Sequence, residues 1–586
     1  MRAGMERAET MADSEERGLK KGLTSYGDSA FSLFLRKAFI KGMGYTDDAL
    51  DRPIVGVVDT FSAYNACHAN VPDLVEAVKR GVMLAGALPV PFPTISIHES
   101  FAFPTSMFTR NLMSMDTEEM IRAQPMDAVV MIGGCDKTVP AQLMGAASAN
   151  VPAIQLVTGP MMTGSHRGER VGACTDCRRF WAKFRAGEID EAETDEVNNQ
   201  LVPGGGTCGV MGTASTMALV TEALGMMAPG GATPPAVTAD RRRIAELSGK
   251  LAVDLAANNL TPDKIMTKKA FENALTVLLA TGGSTNGIVH LAAIAGRAGL
   301  ELDLDAFDAM GRNIPVLVDL KPSGQHYMED LHRAGGLPTI LRELKDHLHL
   351  DCMTVTGKTL GENIDAAPGG WTQSIVSKVD APLFPEGGMA VLRGNLAPGG
   401  AIVKQSAASP QLMTHRGRAV VFSSVADMGA RVDDPDLDVT VDDILVLQNA
   451  GPKGAPGMPE AGYMPIPKKI AATGVKDMVR ISDARMSGTA SGTIVLHVTP
   501  ESAEGGPLGL VRTGDIIALD VPNRTLTLEV SDAELAERRK AFTPPQHPGS
   551  DRGYKKLYMD TVTQADEGCD FTFLMPNKTG RVPDRG

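Results

Sequence analysis

The sequence predicts an α/β protein built from two parts, an N-terminal α/β domain with a parallel sheet (residues 1–380) and a C-terminal β-barrel-like domain (residues 381–586). Between residues 54 and 350, short β-branched runs alternate with longer helical patterns. The strand–helix–strand order favours a parallel sheet covered by helices. From about residue 385 to 530, short strands follow one another with few helices, which favours a barrel or a sandwich.

The N-terminal part supplies three buried strands. IVGVVDT (54–60) is the first, DAVVMIGG (127–134) the second and VPAIQLVTG (151–159) the third. Between the first two lies VPDLVEAVKRGVMLAGA (71–87), whose apolar residues recur three and four apart and therefore predict a helix.

The C-terminal part is a series of short β-branched runs separated by turns such as PGG, RTGD and VPNR. The predicted strands are 388–394, 419–424, 443–449, 492–498, 515–521 and 525–530. A helix is predicted over 531–542, with Ser531 as its N-cap and Glu534 three residues on. The domain boundary is expected near 370–387.

Composition excludes several classes of protein. The chain has 586 residues, of which 43% are hydrophobic and 22% charged, as in ordinary globular proteins. A net charge of −13 with only 4% aromatic residues disfavours binding to nucleic acid or to anionic membranes. The sequence contains no long apolar run and no apolar segment near its N-terminus, and its seven cysteines are not spaced as a disulfide scaffold. We expect a cytoplasmic protein with reduced thiols.

Three cysteines follow predicted strands or glycine runs and precede predicted helices: Cys67 in YNACHANVP, Cys135 in GGCDKTVPAQ and Cys208 in PGGGTCGVMG. Ligand sites of open α/β sheets gather at the carboxyl ends of strands, so these thiols could converge on one site. Thiolates in such turns suit iron–sulfur ligation. The alternative is three unrelated core residues, because free cysteine is commonly buried and the spacing matches no compact zinc or ferredoxin pattern.

Cys174 and Cys177 form CTDC, the chain's only CxxC. No second CxxC or histidine pair completes a zinc site at the usual spacing, so we interpret the segment as structural or peripheral. A zinc hydrolase using CTDC, or using His98 and Glu99, is the alternative function of another class, and a non-catalytic scaffold is a third. Cys352 and Cys569 have no predicted role.

Two carboxylates are candidates for a hard metal ion such as Mg²⁺. Glu99 closes a strand-like run, ISIHESFAF, and Glu460 lies in the Pro/Gly-rich loop GAPGMPEAGYMP. Either could instead be a solvated loop residue. Asp136 and Lys137 directly follow Cys135, and the alternative for them is a surface ion pair on a turn.

Ser487 and Thr489 lie in ISDARMSGTASGTIVLHV, a loop of small residues before a strand. A serine there could act as a nucleophile or base if cations or a metal lowered its pKa. The GxSxG motif is absent, so acyl transfer has little support. TGGSTNGIVH (281–290) is interpreted as a glycine turn that begins a helix.

Taken together, these segments resemble the dihydroxy-acid and sugar-acid dehydratases, a family that includes phosphogluconate dehydratase. The resemblance extends from about residue 25 to 575. It is carried by GGCDKTVPAQLMGAASANVPAI, GGGTCGVMGTASTMALVTEALGM, TGGSTNGIVHLAAIA, PGMPEAGYMP and SDARMSGTASGTIVLHVTPE.

The resemblance implies a hydro-lyase that removes water from a 2,3-dihydroxy carboxylate to give a 2-keto-3-deoxy acid. It implies a [2Fe–2S] cluster held by Cys67, Cys135 and Cys208, with one iron open to substrate. The implied Mg²⁺ ligands are Glu99, Asp136, Glu460 and Lys137, the last often carbamylated. Ser487 would be the base and Thr489 would contact substrate, whereas CTDC has no ligand role in the family.

The resemblance also bears on the substrate. SDARMSGTASGT departs from the SDGRMSGGT pattern of the branched-chain biosynthetic members, CDKT replaces their CDKN, and the tail RGYKKLYMDTVTQADEGCDF is typical of sugar-acid members. An aldonate is therefore the expected substrate. The alternative is 2,3-dihydroxy-3-methylbutanoate, as in branched-chain amino acid biosynthesis. A homodimer or homotetramer is expected by resemblance.

Overall fold

The computed structural model describes residues 17–24 and 26–576, and its N-terminal part is organised around a four-stranded parallel sheet. The strands are β1 (Ile54–Asp59), β2 (Leu88–Pro93), β3 (Ala128–Gly133) and β4 (Ala153–Val157), in the order β2-β1-β3-β4. All three pairings are parallel, which confirms the predicted sheet. β1, β3 and β4 are the three predicted strands.

β2 was not predicted, because LPVPFP contains three prolines. Proline cannot donate a ladder hydrogen bond and is confined to sheet edges. β2 lies at an edge of the sheet, where only one side of its backbone has to pair.

Helices cover the sheet and bury its β-branched side chains in one continuous hydrophobic core. Val71–Leu84, the predicted helix, packs against Ala239–Ala257, and both contact the sheet. The remaining helices before the barrel are Ser29–Gly42, Asp47–Leu50, Ser106–Ala123, Thr138–Ala149, Thr175–Arg185, Glu191–Leu201, Thr213–Ala223, Pro262–Ile265, Lys268–Ala280, Asn286–Arg297, Leu304–Gly311, Met328–Arg333, Gly336–Glu343 and Leu360–Ala366. A small hairpin, β5 (Gly164–His166) and β6 (Glu169–Val171), precedes Thr175–Arg185.

The C-terminal part is a closed barrel of eight strands, which confirms the barrel alternative. Its strands, in chain order, are β7 (Ala390–Gly394), β8 (Ala397–Val403), β9 (Thr414–Phe422), β10 (Ile444–Leu447), β11 (Arg480–Ser482), β12 (Ile494–Thr499), β13 (Ile516–Asp520) and β14 (Thr525–Leu528). Closure leaves no free sheet edge and gives the barrel its own apolar core. Helices Val425–Arg431, Lys468–Ala471, Asp532–Lys540 and Gly553–Thr561 complete this part.

Two barrel strands were not predicted, because of their local composition or length. β8 begins with Ala-Pro-Gly-Gly, which has the composition of a turn, and β11 has only three residues. The predicted C-terminal helix is confirmed, since the Ser531 side chain accepts a hydrogen bond from the backbone N–H of Glu534. The boundary between residues 380 and 381 stays a prediction, and residues 1–16 and 577–586 of the two predicted domains lie outside the described residues.

The prediction of a strand-like run that ends at Glu99 was wrong. Residues Glu99–Phe101 form a single 3₁₀ turn, and the chain before them pairs with no strand. The N–H of Ile95 donates instead to the Asp116 carboxylate at 2.8 Å, so a side chain replaces the sheet partner. Within the described part of the chain, no helix has the length and apolarity that crossing a membrane requires.

Candidate active site

Cys67 and Cys135 meet at the carboxyl edge of the sheet. Cys67 lies in the 3₁₀ turn Ala66–His68 after β1, and Cys135 follows β3 directly. The two thiols interact, and this interaction lowers the pKa of Cys67 to about 6 and raises that of Cys135. Interaction with Cys67 also raises the pKa of the His98 imidazole. The predicted convergence of these two cysteines is therefore present.

The neighbouring His68 fixes the turn that carries Cys135. Its Nε2 accepts hydrogen bonds from the backbone N–H groups of Gly134 at 2.9 Å and Cys135 at 3.1 Å. The proton must then sit on Nδ1, which lies 2.9 Å from the carbonyl oxygen of Thr60. Burial lowers the pKa of His68 to about 4, so the ring stays neutral and keeps its acceptor.

Close packing around Gly134 leaves no room for a side chain. A Cβ atom at this position would stand 1.7 Å from Thr158 Oγ1 and 3.1 Å from the carbonyl oxygen of Cys67. Only glycine lets the turn after β3 approach the turn after β1 this closely. The sequence GGCDKT therefore brings the two thiols together.

Cys208 lies in the turn before helix Thr213–Ala223, as predicted. Its pKa is raised first by a hydrogen bond with Cys174, then by burial and by the charges of Cys174, Cys67 and Asp136. Cys208 thus lies within electrostatic reach of Cys67 and Asp136. Its sulfur lies 3.4 Å from that of Cys174, at the start of helix Thr175–Arg185. Cys174, in the segment that we interpreted as structural or peripheral, therefore lies beside one of the three candidate cluster ligands.

Three carboxylates lie close together beside these cysteines. Glu99, Asp136 and Glu460 each offer an oxygen, and these oxygens lie within 4.8 Å of one another. Among the described residues this is the only group of three such ligands, and neither the CTDC cysteines nor His98 belongs to it. Glu460 starts the 3₁₀ turn Glu460–Tyr463, between β10 and β11. The acidic group therefore joins residues from both parts of the chain.

Two buried cations balance the carboxylates. Lys137 Nζ lies 2.5 Å from Asp136, 3.2 Å from Glu99 and 3.9 Å from Glu460. Arg485 donates to Glu460 at 2.5 Å and to Glu99 at 3.2 Å. Burial raises the pKa of Glu99, but Lys137 and Arg485 outweigh burial and leave this pKa well below its usual value. Burial dominates at Glu460 and raises its pKa.

Asn286 adds a neutral oxygen to this group. It is the first residue of helix Asn286–Arg297, so TGGSTN does begin a helix as predicted. Its Nδ2 lies 3.4 Å from Glu460 and 3.1 Å from Thr213 Oγ1, whereas its buried Oδ1 has no hydrogen-bond partner. An unpaired buried oxygen among carboxylates suits a hard cation or a substrate hydroxyl.

Ser487 lies on the loop that Arg485 anchors. Its Oγ lies 2.8 Å from Thr489 Oγ1, so the two hydroxyls share one hydrogen bond. The loop is held from the N-terminal part by Thr175, whose hydroxyl donates to the carbonyl oxygen of Thr489 at 3.0 Å. A Cβ on Gly488 would meet Ser284 Cβ at 2.5 Å, so the loop also packs closely against TGGSTN.

The chain matches two family models along most of its length. The dihydroxy-acid/6-phosphogluconate dehydratase N-terminal model covers residues 52–363, and the C-terminal model of the same family covers 374–569. The chain belongs to this dehydratase family. Dehydratases are hydro-lyases, so the chain is an enzyme of that class, and the resemblance noted in the sequence is confirmed.

Relatives within the family carry several activities. An L-arabinonate dehydratase of Rhizobium leguminosarum bv. trifolii (strain WSM2304) is 47% identical, covering 94% of this chain and 95% of the relative. A 6-deoxy-6-sulfo-D-gluconate dehydratase of Pseudomonas putida is 46% identical, covering 92% and 93%. A dihydroxy-acid dehydratase of Acetivibrio thermocellus (strain ATCC 27405) is 40% identical, covering 91% and 96%.

The sequence did not single out three residues that shape the site: His68, Asn286 and Arg485. Two of them were visible beside assigned residues, since His68 follows Cys67 and Arg485 lies two positions before Ser487. Cys174 carried the CxxC signal, but its partner Cys208 is distant in sequence.

Proposed function

We propose that this dehydratase removes water from a 2,3-dihydroxy carboxylate, in the first place an aldonate, and forms a 2-keto-3-deoxy acid. The observation that carries the proposal is the junction at Arg485. This residue contacts Glu99 and Glu460 and lies two positions before Ser487, so the loop that carries the candidate base is bonded to two carboxylates of the candidate metal site.

Glu99, Asp136 and Glu460 would hold Mg²⁺. Their partly buried oxygens lie close to one another, Asn286 beside Glu460 offers an unpaired Oδ1, and such oxygens suit this hard ion. When bound, Mg²⁺ supplies positive charge that stabilises the enolate-like anion formed as the Cα proton leaves. Ser487 would take that proton, and Thr489 would hold the serine oxygen in place through their shared hydrogen bond.

Cys67, Cys135 and Cys208 would hold a [2Fe–2S] cluster. The contact between the first two thiols and the closeness of Cys208 support this ligand set. When bound, the cluster supplies a Lewis-acidic iron for the hydroxyl group that leaves from C3. His68 and Gly134 would keep Cys135 oriented toward it.

Lys137 would change its charge when the metal binds. The three carboxylates carry three negative charges, and the ammonium group of Lys137 lies among them. A divalent ion in the same place would be repelled by that ammonium group. Carbamylation, in which the neutral amine adds CO₂ and releases a proton, would turn Lys137 into an anionic oxygen ligand. A ¹³C-labelled carbamate signal that appears only with both bicarbonate and Mg²⁺ would support this, and a signal absent from Mg²⁺-loaded protein would refute it.

The substrate is tested with a panel of aldonates beside 2,3-dihydroxy-3-methylbutanoate, scored by the 2-keto acid formed. We expect turnover of at least one aldonate to exceed that of the branched-chain substrate. The higher identity to the arabinonate and sulfogluconate enzymes than to the dihydroxy-acid dehydratase supports this order. Exclusive turnover of the branched-chain substrate would instead favour the alternative, a dihydroxy-acid dehydratase of branched-chain amino acid biosynthesis.

The serine is tested separately. Ser487→Ala should lower turnover by about 10²- to 10⁴-fold, the usual contribution of a general base, while iron and acid-labile sulfide content stay unchanged. Ser423→Ala is a control, because this exposed serine lies at the end of β9. Turnover of Ser487→Ala within a few-fold of the wild type would remove the serine from the mechanism.

A homodimer or homotetramer remains our expectation for the assembly. Helix Ser29–Gly42 exposes Phe34 and Phe39, which supports burial of this surface between subunits. Light scattering of the purified chain tests the expectation, and a monomer at micromolar concentration would refute it.

A further inference from the structure

Cys174 lies between two other thiols at the edge of the candidate site. Its sulfur lies 3.4 Å from that of Cys208, and it also interacts with Cys177 of the same CTDC segment. All seven cysteines belong to the described part of the chain, and only these three are partly exposed. The proposed function uses Cys208 but leaves the two CTDC thiols without a role.

The start of one helix brings the two CTDC thiols together. Cys174 is the N-cap of helix Thr175–Arg185, and Cys177 lies in its first turn. Residues three apart are neighbours on a helix surface. Disulfide oxidoreductases use two cysteines at this spacing, which convert between a dithiol and a disulfide. Thr175 donates to the carbonyl oxygen of Thr489 and thereby fixes this turn against the serine loop.

The contact with Cys208 gives such a dithiol a target. In the proposed function the Cys208 thiolate is bound to iron, and it becomes free whenever the cluster is lost. Peroxide oxidises a free, partly exposed thiolate to a sulfenic acid, and further oxidation to a sulfinic acid is irreversible. A neighbouring thiol prevents that second step when it forms a disulfide with the sulfenic acid first. The Cys174 and Cys208 sulfurs need only move from 3.4 Å to about 2.05 Å to form this bond.

We propose that CTDC is a dithiol that restores Cys208 after oxidation, so that the three-cysteine cluster can be rebuilt. This role rests on the proposed function, in which Cys208 is a cluster ligand. Hydrogen peroxide first transfers one oxygen to the Cys208 thiolate: an S–O bond forms, the O–O bond breaks and hydroxide leaves. The Cys174 thiolate then attacks the Cys208 sulfur, so a disulfide forms and the oxygen leaves as a second hydroxide.

Cys177 completes the sequence. Its thiolate attacks the Cys174 sulfur, which forms the Cys174–Cys177 disulfide and releases Cys208 as a thiolate. The CTDC dithiol has then given two electrons to the peroxide, and its two protons convert the two hydroxides into water. An external dithiol, oxidised to its own disulfide, returns CTDC to the reduced form. Cys174 must exchange with both other thiols in this sequence, and it is the residue that contacts both.

The test maps the thiols of the full-length protein after a chelator has removed its iron under anaerobic conditions. Each protein receives an equimolar amount of hydrogen peroxide, the remaining thiols are alkylated, and unreduced peptides are analysed by mass spectrometry. The wild type should contain the Cys174–Cys177 disulfide and an alkylated Cys208. Cys177→Ser should stop at the Cys174–Cys208 disulfide, because the thiol that breaks this bond is missing.

A second variant tests the thiol between the other two. Cys174→Ser should lose both disulfides and accumulate sulfinic acid on Cys208. After treatment with dithiothreitol, iron and sulfide, the wild type should recover its cluster and Cys174→Ser should not. Cys352→Ala is the matched control, since Cys352 lies in the apolar core of the N-terminal part, and it should behave as the wild type. Cys177→Ala repeats the first variant, and thermal unfolding before oxidation identifies a protein that has failed to fold.

Several results would overturn the proposed role of CTDC. One is the absence of the Cys174–Cys208 disulfide from folded Cys177→Ser and Cys177→Ala, and another is its persistence in the wild type. Equal amounts of sulfinic acid on Cys208 in the wild type and in Cys174→Ser would do so as well. These three readouts need no iron. Failure of untreated wild-type protein to bind iron and sulfide would instead remove the cluster from the proposed function, whatever the disulfide pattern.

Discussion

Lys404 lies directly after β8 and is buried, with 1% of its surface exposed. Its Nζ lies 3.5 Å from the carbonyl oxygen of Gly488, the residue after Ser487. Burial lowers the pKa of Lys404 to about 7, against about 10.4 in an unfolded chain. Between these two values the folded protein binds fewer protons than the unfolded chain, so stability must rise with pH across this window.

The change that tests this is Lys404→Met, which keeps the length of the side chain and removes its charge. At about 1.36 kcal/mol per pKa unit, the shift costs the folded wild type up to about 5 kcal/mol below pH 7. The lost hydrogen bond offsets about 1 kcal/mol of the gain. The variant should therefore unfold at a higher temperature than the wild type at pH 6.5, by roughly 10 °C for a domain of this size.

The assay is thermal unfolding of both proteins from pH 6.5 to 10. The difference in Tm should shrink as pH rises and should nearly vanish by pH 10, where the folded-state Lys404 is neutral and the unfolded-state pKa of about 10.4 leaves a penalty of less than about 1 kcal/mol. Lys468→Met is the control, since the Lys468 side chain is 56% exposed and its removal should give a small difference that does not vary with pH. A Tm difference for Lys404→Met that is constant over this range would refute the reasoning. Turnover, measured in parallel, should fall about fivefold if the bond to Gly488 positions the serine loop.

Two further predictions concern the framework of the site. Glu222 is buried and accepts a hydrogen bond from the backbone N–H of Gly230 at 2.6 Å. Burial raises the pKa of its carboxyl group to about 7. The contribution of Glu222 to stability is therefore complete below about pH 4 and is lost as pH rises through 7. In Glu222→Gln, the free energy of unfolding measured with urea should change less between pH 5 and 8 than in the wild type, by up to about 3 kcal/mol. The same pH dependence in both proteins would contradict this. Gly134→Ala should destabilise the fold by about 1–3 kcal/mol and reduce iron content, because its Cβ would stand 1.7 Å from Thr158 Oγ1. Gly42→Ala, where a Cβ meets nothing within 4 Å, should do neither; equal effects of the two substitutions in urea unfolding and iron analysis would count against the packing argument.

Much of the fold could be predicted because its strands are rich in β-branched residues. β1, β3 and β4 each bury nearly every side chain, and such strands read as continuous apolar runs. β2 lacked that signal, since its prolines are tolerated only because no strand pairs with its outer edge. The residue pattern along the chain identifies a buried strand but does not show which strands pair with it.

The site could be predicted only in part for the same reason. Cys67 and Cys135 follow adjacent parallel strands, so the topology alone brings them to one edge. Cys174 has no such relation to Cys208, and their contact depends on where helix Thr175–Arg185 begins. Local spacing therefore indicated only one neighbour of Cys174, the Cys177 of its own CxxC, and did not show the other, Cys208.

The two halves of the site depend on each other through charge. Glu99 and Asp136 come from the N-terminal part, whereas Glu460 and Arg485 come from the barrel. Separating the halves would leave Lys137 with two of its three carboxylates and Arg485 with one of its two, and a buried charge without its partners costs several kcal/mol. The barrel loop is therefore held in place by the acidic group that its Arg485 neutralises. Ser487, the proposed base, lies two residues beyond Arg485, so the ion pairs that would surround the proposed metal also anchor the loop that carries this serine.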